Sequence, residues 1–242
     1  MNKIINAIFK RKSVRVFTPQ EITAEEKQLI IDSALQAPTA GNMYLYSIID
    51  VTEQAVKDKL AILCDDQTFI AKAPLVLIFL ADYQKNYELL KLSVGENVEK
   101  PQGFDLMLAC SDALIAAQNT VMAAESLGIG SCYIGDVMEE HGNMTALLNL
   151  PEFTFPIAML VYGYPTEQQI SRPKPPRFKA EDMVFENSYK IKDAAAYEKM
   201  YKGQNPNYNY ITAGEKLFEL KYDTKFRKEG NRSVSEYLKK WE

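Results

Sequence analysis

Histidine occurs once in this chain of 242 residues, at His141, tryptophan once, at Trp241, and cysteine three times, at Cys64, Cys110 and Cys132. A single histidine excludes a histidine-rich metal site and most histidine-based catalytic triads, so His141 is read as a residue of a helix surface. Three widely spaced cysteines, an odd number, fit reduced thiols in an intracellular protein better than a disulfide framework or a zinc site. Basic residues are not in excess: 28 Lys and Arg stand against 32 Asp and Glu, a net charge of -4. That balance excludes a general nucleic-acid binder, which needs a basic face. Lys10, Arg11 and Lys12 interrupt the first apolar stretch, unlike a signal peptide, and no uninterrupted apolar run long enough for a bilayer follows. The expected location is cytoplasmic, with no membrane partner. Gly128 and Gly130 lie after a helical pattern and before a strand pattern. A dinucleotide fingerprint follows a strand and opens a helix, so a Rossmann cofactor site is rejected.

A hydrophobic share of 47% with 25% charged residues is enough for a sizeable core. The spacing predicts one large domain over 1–187 and a helical extension over 188–242 belonging to the same domain. Ile4, Ile5, Ile8 and Phe9 recur at helical spacing, and Thr23 with Glu26 forms a capping box ahead of a second helix that stops near Pro38. Tyr46 to Val51 reads as a strand. Pro74 to Leu80 is a continuous apolar run, the pattern of a strand covered on both faces. Phe104 to Leu127 is the longest helical pattern, capped by Gly128; a short strand, a helix to about Leu148 and a last core strand from Phe155 to Gly163 follow. This order does not repeat β-α-β regularly, so the fold class is α+β, a sheet layered with helices. After Pro165 the segment Arg172-Pro173-Lys174-Pro175-Pro176-Arg177 is stiff, extended and basic. In the tail, Leu217, Leu220, Tyr237, Leu238 and Trp241 are the expected buried positions.

Arg11-Lys12-Ser13-Val14-Arg15 concentrates cations and a hydroxyl where an anion can dock. Lys and Arg at a helix C-terminus also face the negative end of its dipole, and on spacing alone that explanation suffices. The Pro38 to Asn42 loop reads equally as a turn, and the proline-basic run equally as a solvated linker.

Taken together and in this order, the basic cluster, the Pro-Thr-Ala-Gly-Asn loop, the glycine turn at 128–135 and the proline-basic run resemble the nitroreductase family of FMN-dependent oxidoreductases. The likeness is greatest to its NADPH-type nitro and flavin reductases with a C-terminal extension. The resemblance implies a nitroreductase-like mixed sheet layered with helices, in an intertwined homodimer whose two FMN sites draw on both subunits, the extension packing on the partner. It implies Arg11 and Ser13 at the flavin phosphate and Arg15 near the N1 and O2 edge, with Lys12 left to solvent. Pro38, Thr39 and Asn42 match the loop against the flavin, and Gln67 a pyrimidine contact. Tyr133, Ile134 and Gly135 match the turn over the isoalloxazine, and Lys174 and Arg177 a second phosphate clamp. Phe69 stands where a tyrosine is expected, without its hydroxyl. The implied activity is ping-pong hydride transfer from NADH or NADPH through FMN to a small-molecule acceptor such as a nitroaromatic, a quinone or a flavin. Because the flavin carries the chemistry, no side chain is assigned as acid or base. A flavin carrier or sensor, and a reductive dehalogenase with Tyr83 to Lys100 as its lid, are the competing readings.

Overall fold

The computed structural model describes residues 2–242. Among these residues twelve α-helices, four short 3-10 or π-helical pieces and four strands fall into two compact units, one made of the chain up to Arg172 with Glu229–Glu242, the other of Pro173–Lys228.

The first unit begins with α1 (Lys3–Lys10) and α2 (Ala24–Leu35). The predicted capping box is formed: Thr23 N–H donates to Glu26 Oε2 at 2.9 Å and Glu26 N–H to Thr23 Oγ1 at 3.2 Å, which satisfies two of the free N–H groups of a helix start. A short turn leads to β1 (Tyr46–Asp50), α3 (Gln54–Leu63), α4 (Thr68–Ala71), β2 (Leu75–Asp82) and α5 (Gln84–Val94). The long α6 (Gly103–Ser126), β3 (Gly130–Ile134), α7 (His141–Leu148), β4 (Thr154–Gly163) and α8 (Glu167–Ser171) follow.

The sheet order is β1-β2-β4-β3, each pair antiparallel; the parallel component is an isolated bridge between Ser13 and Ser131. The α+β architecture is as expected. Every residue of β2 is buried, because β2 is an interior strand with helices over both faces. Leu77, Ile78 and Phe79 have no exposed surface, and each such side chain contributes about 1.5–3 kcal/mol relative to an exposed one. One core lies on each side of the sheet. On α6, Ala109, Ala113, Ala116, Ala117 and Ala124 form the buried stripe; methyl-sized side chains let the helix lie close to the sheet. By length and composition α6 equals a membrane-crossing helix, but this stripe makes it a core helix.

The second unit contains α9 (Ala180–Met183), α10 (Ala194–Gln204) and α11 (Tyr210–Leu217), and α12 (Lys225–Leu238) starts in it. Residues 173–179 form no regular element, as their prolines dictate. Leu217, Leu220 and Leu238 are exposed, against expectation, whereas Tyr237 and Trp241 are 1% and 2% exposed. Both latter rings pack into this chain's own core: Trp241 meets Phe153 edge-on at 5.5 Å and Tyr237 meets Phe155 at 4.9 Å. His141, expected on a helix surface, opens α7 with its ring 4.3 Å from Tyr237 and its Nε2 buried. The end of the chain therefore covers it.

Candidate flavin-binding site

The basic cluster straddles the end of α1. Arg11 caps the helix through its own N–H to Ala7 O, after which the chain turns extended and lies beside the sheet. Val14 N–H donates to Ser131 O at 2.9 Å and Thr18 N–H to Tyr164 O at 2.8 Å. This docking depends on two glycines. A Cβ on Gly130 would lie 2.6 Å from Val14 Cγ2, and one on Gly163 would lie 2.6 Å from the Phe17 ring. In the sequence Gly130 reads as part of the glycine turn and Gly163 as the end of a strand; here they are flat seats in β3 and β4 for the 13–18 segment. Nothing local in the sequence marks that role, because the contact spans more than a hundred residues.

Tertiary partners divide the five-residue cluster. Lys12 Nζ donates to Ile170 O at 2.7 Å and to Arg172 O. It closes the carbonyl end of α8 and is not left to solvent as expected. Arg172 is similarly engaged, donating to Ser13 O at 2.6 Å. Arg15 N–H reaches Gln169 Oε1 at 3.3 Å, and its guanidinium lies 6.0 Å from the Phe69 ring centroid. Among the described residues neither Arg11 nor Arg15 forms an ion pair, and Arg11 Nε is buried without a hydrogen-bond partner.

The electrostatic consequence is visible at β3. Burial pushes the Cys132 thiol up, and Arg15, a hydrogen bond from Ser13, and Arg11 pull against it. Burial pushes the Tyr133 phenol up to about 12, again with Arg11 opposing. Arg11, Ser13 and Arg15 thus all act on Cys132 of β3, and neither arginine is ion-paired among the described residues. An un-neutralised guanidinium with a shielded, unpaired Nε is a poor arrangement in isolation and a good one for a phosphate, which accepts several charge-assisted hydrogen bonds. The residues fit FMN.

The other predicted residues lie on separate segments. Gln67 precedes α4, its Nε2 donating to Cys64 O at 2.8 Å, two positions from the Phe69 that faces Arg15. The Pro38 to Asn42 loop is exposed at Pro38, Gly41 and Asn42, with Gly41 and Asn42 left-handed at φ 55° and 58°. Glycine and asparagine tolerate that region best. A residue with no motif fixes the loop: Asp112, 2% exposed in the middle of α6, accepts Ala40 N–H at 2.9 Å and Leu45 N–H at 3.1 Å. A buried carboxylate satisfied in this way holds both ends of the turn, each bond being worth about 1.5–3 kcal/mol. Tyr133 and Ile134 end β3, and Gly135 is exposed just beyond it. Lys174 and Arg177 belong to the second unit, where Arg177 Nη1 donates to Pro175 O at 3.5 Å. In the same unit Lys228 pairs with Asp223 at 2.7 Å and Arg227 lies over Tyr222 at 3.9 Å. The expected lid contains α5, which is tethered by Asn86 Nδ2 to Met43 O at 3.2 Å and by Lys85 to Tyr46 O.

The model of the nitroreductase family matches residues 8–164. The chain belongs to the nitroreductase family. A curated relative, the FMN reductase (NADPH) of Bacillus subtilis, is 33% identical over 194 residues, covering 79% of this nitroreductase-family chain and 76% of the relative. The oxygen-insensitive NADPH nitroreductase of Salmonella typhimurium is 29% identical over 99% of this chain and 98% of its own. Among solved structures, the NADPH:FMN oxidoreductase of Vibrio harveyi complexed with NAD+ aligns at TM-score 0.75 and 26% identity, covering 95% of this chain and 98% of that one. A nitroreductase of B. subtilis aligns at TM-score 0.80 and 27% identity, covering 98% and 97%. The family match ends where the second unit is about to begin, so the N-terminal cluster and the β3 turn are inside it, and Lys174 and Arg177 are outside.

Proposed function

We propose that this nitroreductase-family chain is an FMN-dependent NAD(P)H oxidoreductase that reduces small acceptors such as nitroaromatics, quinones or flavins by a ping-pong exchange. The observation that carries the reading is the pair of arginines beside β3 that form no ion pair, Arg11 with its buried, unpartnered Nε and Arg15, with the Ser13 hydroxyl between them in the chain. FMN, when bound, supplies the hydride-transfer chemistry. Arg11 and Ser13 hold the phosphate; Arg15, beside Phe69, provides positive charge at the N1 and O2 edge, an effect strengthened where water is excluded. Pro38, Thr39 and Asn42, fixed through Asp112, line one side, and Gln67 offers a polar contact. Tyr133, Ile134 and Gly135 form the opposite turn. Lys174 and Arg177 are assigned to a second phosphate contact. The carrier and sensor reading has no comparable support, since the relatives named above are reductases.

The working form is a homodimer. Ile4 of α1 and Phe104 and Met107 of α6 are all exposed by more than half, large apolar side chains that a second copy of the chain would cover. These helices, with the C-terminal extension, are the surfaces assigned to the partner. Free Cys64, Cys110 and Cys132 suit the reducing cytoplasm.

The decisive experiment is the visible spectrum of the purified protein, followed anaerobically as NADPH or NADH is added. A flavin spectrum that bleaches with either donor and recovers with a nitroaromatic or quinone is expected. A colourless protein that cannot be reconstituted with FMN overturns the reading, and a stable monomer in sedimentation overturns the dimer.

A further inference from the structure

On the far side of the β3 turn lies a cluster of the opposite sign. Asp65 follows α3 in the left-handed conformation, at φ 57°, and Asp136 and Glu139 follow Gly135 within the single turn after β3. One carboxylate oxygen from each lies within 4.8 Å of the others. Three oxygens within that limit can share one cation at about 2.4 Å, the calcium distance; ligands drawn from two loops suit calcium's flexible coordination rather than the near-ideal octahedron that magnesium demands.

A second observation points to a ligand. Glu139 is 5% exposed, and its Oε1 is shielded from solvent with no hydrogen-bond partner. Everything charged that acts on it is negative: Asp65, Asp136, Glu229 and Glu140, which together with burial raise its carboxyl to about 7. The nearby cation, Arg232, is already engaged by Glu229 through bonds of 2.6 and 2.8 Å. Buried carboxylates are ordinarily paired, hydrogen-bonded or metal-bound. A proton on Glu139 would relieve one charge and leave Asp65 and Asp136 facing each other.

We propose that Asp65, Asp136 and Glu139 form a cation site selective for calcium over magnesium, which ties the end of α3 to the turn after β3. All donors are carboxylate oxygens, the preference of a hard cation. Asp65 is exposed and Asp136 half-buried, so the ion enters from solvent, and water completes its coordination. Residues 65 and 136 are far apart in the chain, which makes the ion a long-range fastening.

The test uses the FMN-loaded protein, stripped with chelator and titrated with CaCl2 or MgCl2 at neutral pH by calorimetry and thermal unfolding. We expect one saturable calcium per chain, magnesium at least about tenfold weaker, and a Tm rise of about 5 °C at a hundredfold excess over Kd. Asp65→Asn, at an exposed position, and Glu139→Gln each weaken calcium by about tenfold or more while keeping their flavin. Absence of saturable binding up to about 1 mM, the weak end of protein calcium sites, overturns the proposal, as does calcium binding that both variants retain. Flavin content measured on the same samples separates this failure from a failure of the flavin reading.

Discussion

The cationic cluster at Arg11, Ser13 and Arg15 and the acidic cluster at Asp65, Asp136 and Glu139 flank the same short strand, and they were assembled in different ways. The first comes from five consecutive residues, pressed onto the sheet through the bridge from Ser13 to Ser131 and the seats at Gly130 and Gly163. The second gathers residues from two loops far apart in sequence. In both, charge is left without a protein counter-charge. Elsewhere charged groups in the same unit are answered internally: Lys12 by carbonyl oxygens, Asp112 by two backbone N–H groups. Uncompensated charge, rather than charge itself, separates a binding position from a structural one.

The largest expected effect comes from breaking the seat of the first cluster. Gly163→Val should cost about 3 kcal/mol of stability, since its side chain overlaps the Phe17 ring and cores resist overpacking. The flavin content should fall with it. Gly142→Ala, where an added Cβ meets nothing within 4 Å, is the matched control and should change stability by no more than about 0.5 kcal/mol. Denaturant unfolding and the visible spectrum read both, and equal losses would refute the seat.

The next effect contrasts a satisfied buried carboxylate with an unsatisfied one. Asp112→Asn replaces one of two acceptors by a donor and should cost about 2 kcal/mol. Glu139→Gln, compared in the presence of chelator, should cost nothing or stabilise, because it removes a buried charge among like charges. Unfolding midpoints that fall together for both variants would deny the distinction.

Within the cationic cluster, Arg15→Ala should slow flavin reduction by at least about tenfold in stopped flow. Lys12→Ala should leave that rate nearly unchanged and act on stability, because its ammonium caps α8. Equal kinetic effects would remove the division between them.

The smallest effect concerns the thiols that report on each cluster. Cys64 is buried beside Asp136, Glu139 and Asp65, which raise its thiol further, whereas Cys132 is buried beside Arg15 and Arg11, which oppose the rise. The thiolate is the reactive form. Mapping alkylation of the native protein by mass spectrometry should find Cys132 modified ahead of Cys64, and the reverse order would contradict the assigned fields.

Much of the framework could be read along the chain. The Thr23 and Glu26 box, the apolar run that became β2, the long α6 and the glycine after it are local signals, since caps, periodicity and left-handed turns depend on residues within one or two turns. Arg11, Ser13 and Arg15, the proposed phosphate and flavin-ring contacts, stand out for the same reason, being contiguous. Their family order supplied the ligand that spacing alone left open. Burial in the tail was read correctly for Tyr237 and Trp241 and wrongly for Leu217, Leu220 and Leu238, because an apolar residue at helical spacing has no means of specifying which surface receives it.

The sequence alone thus sets the helices, the covered strand and the supply of positive charge near the first helix. Folding assigns that charge: it gives Lys12 and Arg172 to carbonyl oxygens, leaves Arg11 and Arg15 without an ion pair, and brings Asp65 to the distant Asp136 and Glu139. The physical reason is range. Backbone hydrogen bonds and side-chain periodicity act over a few residues, whereas desolvation and Coulomb interaction depend on neighbours in space, which exist only once the sheet has brought distant segments together.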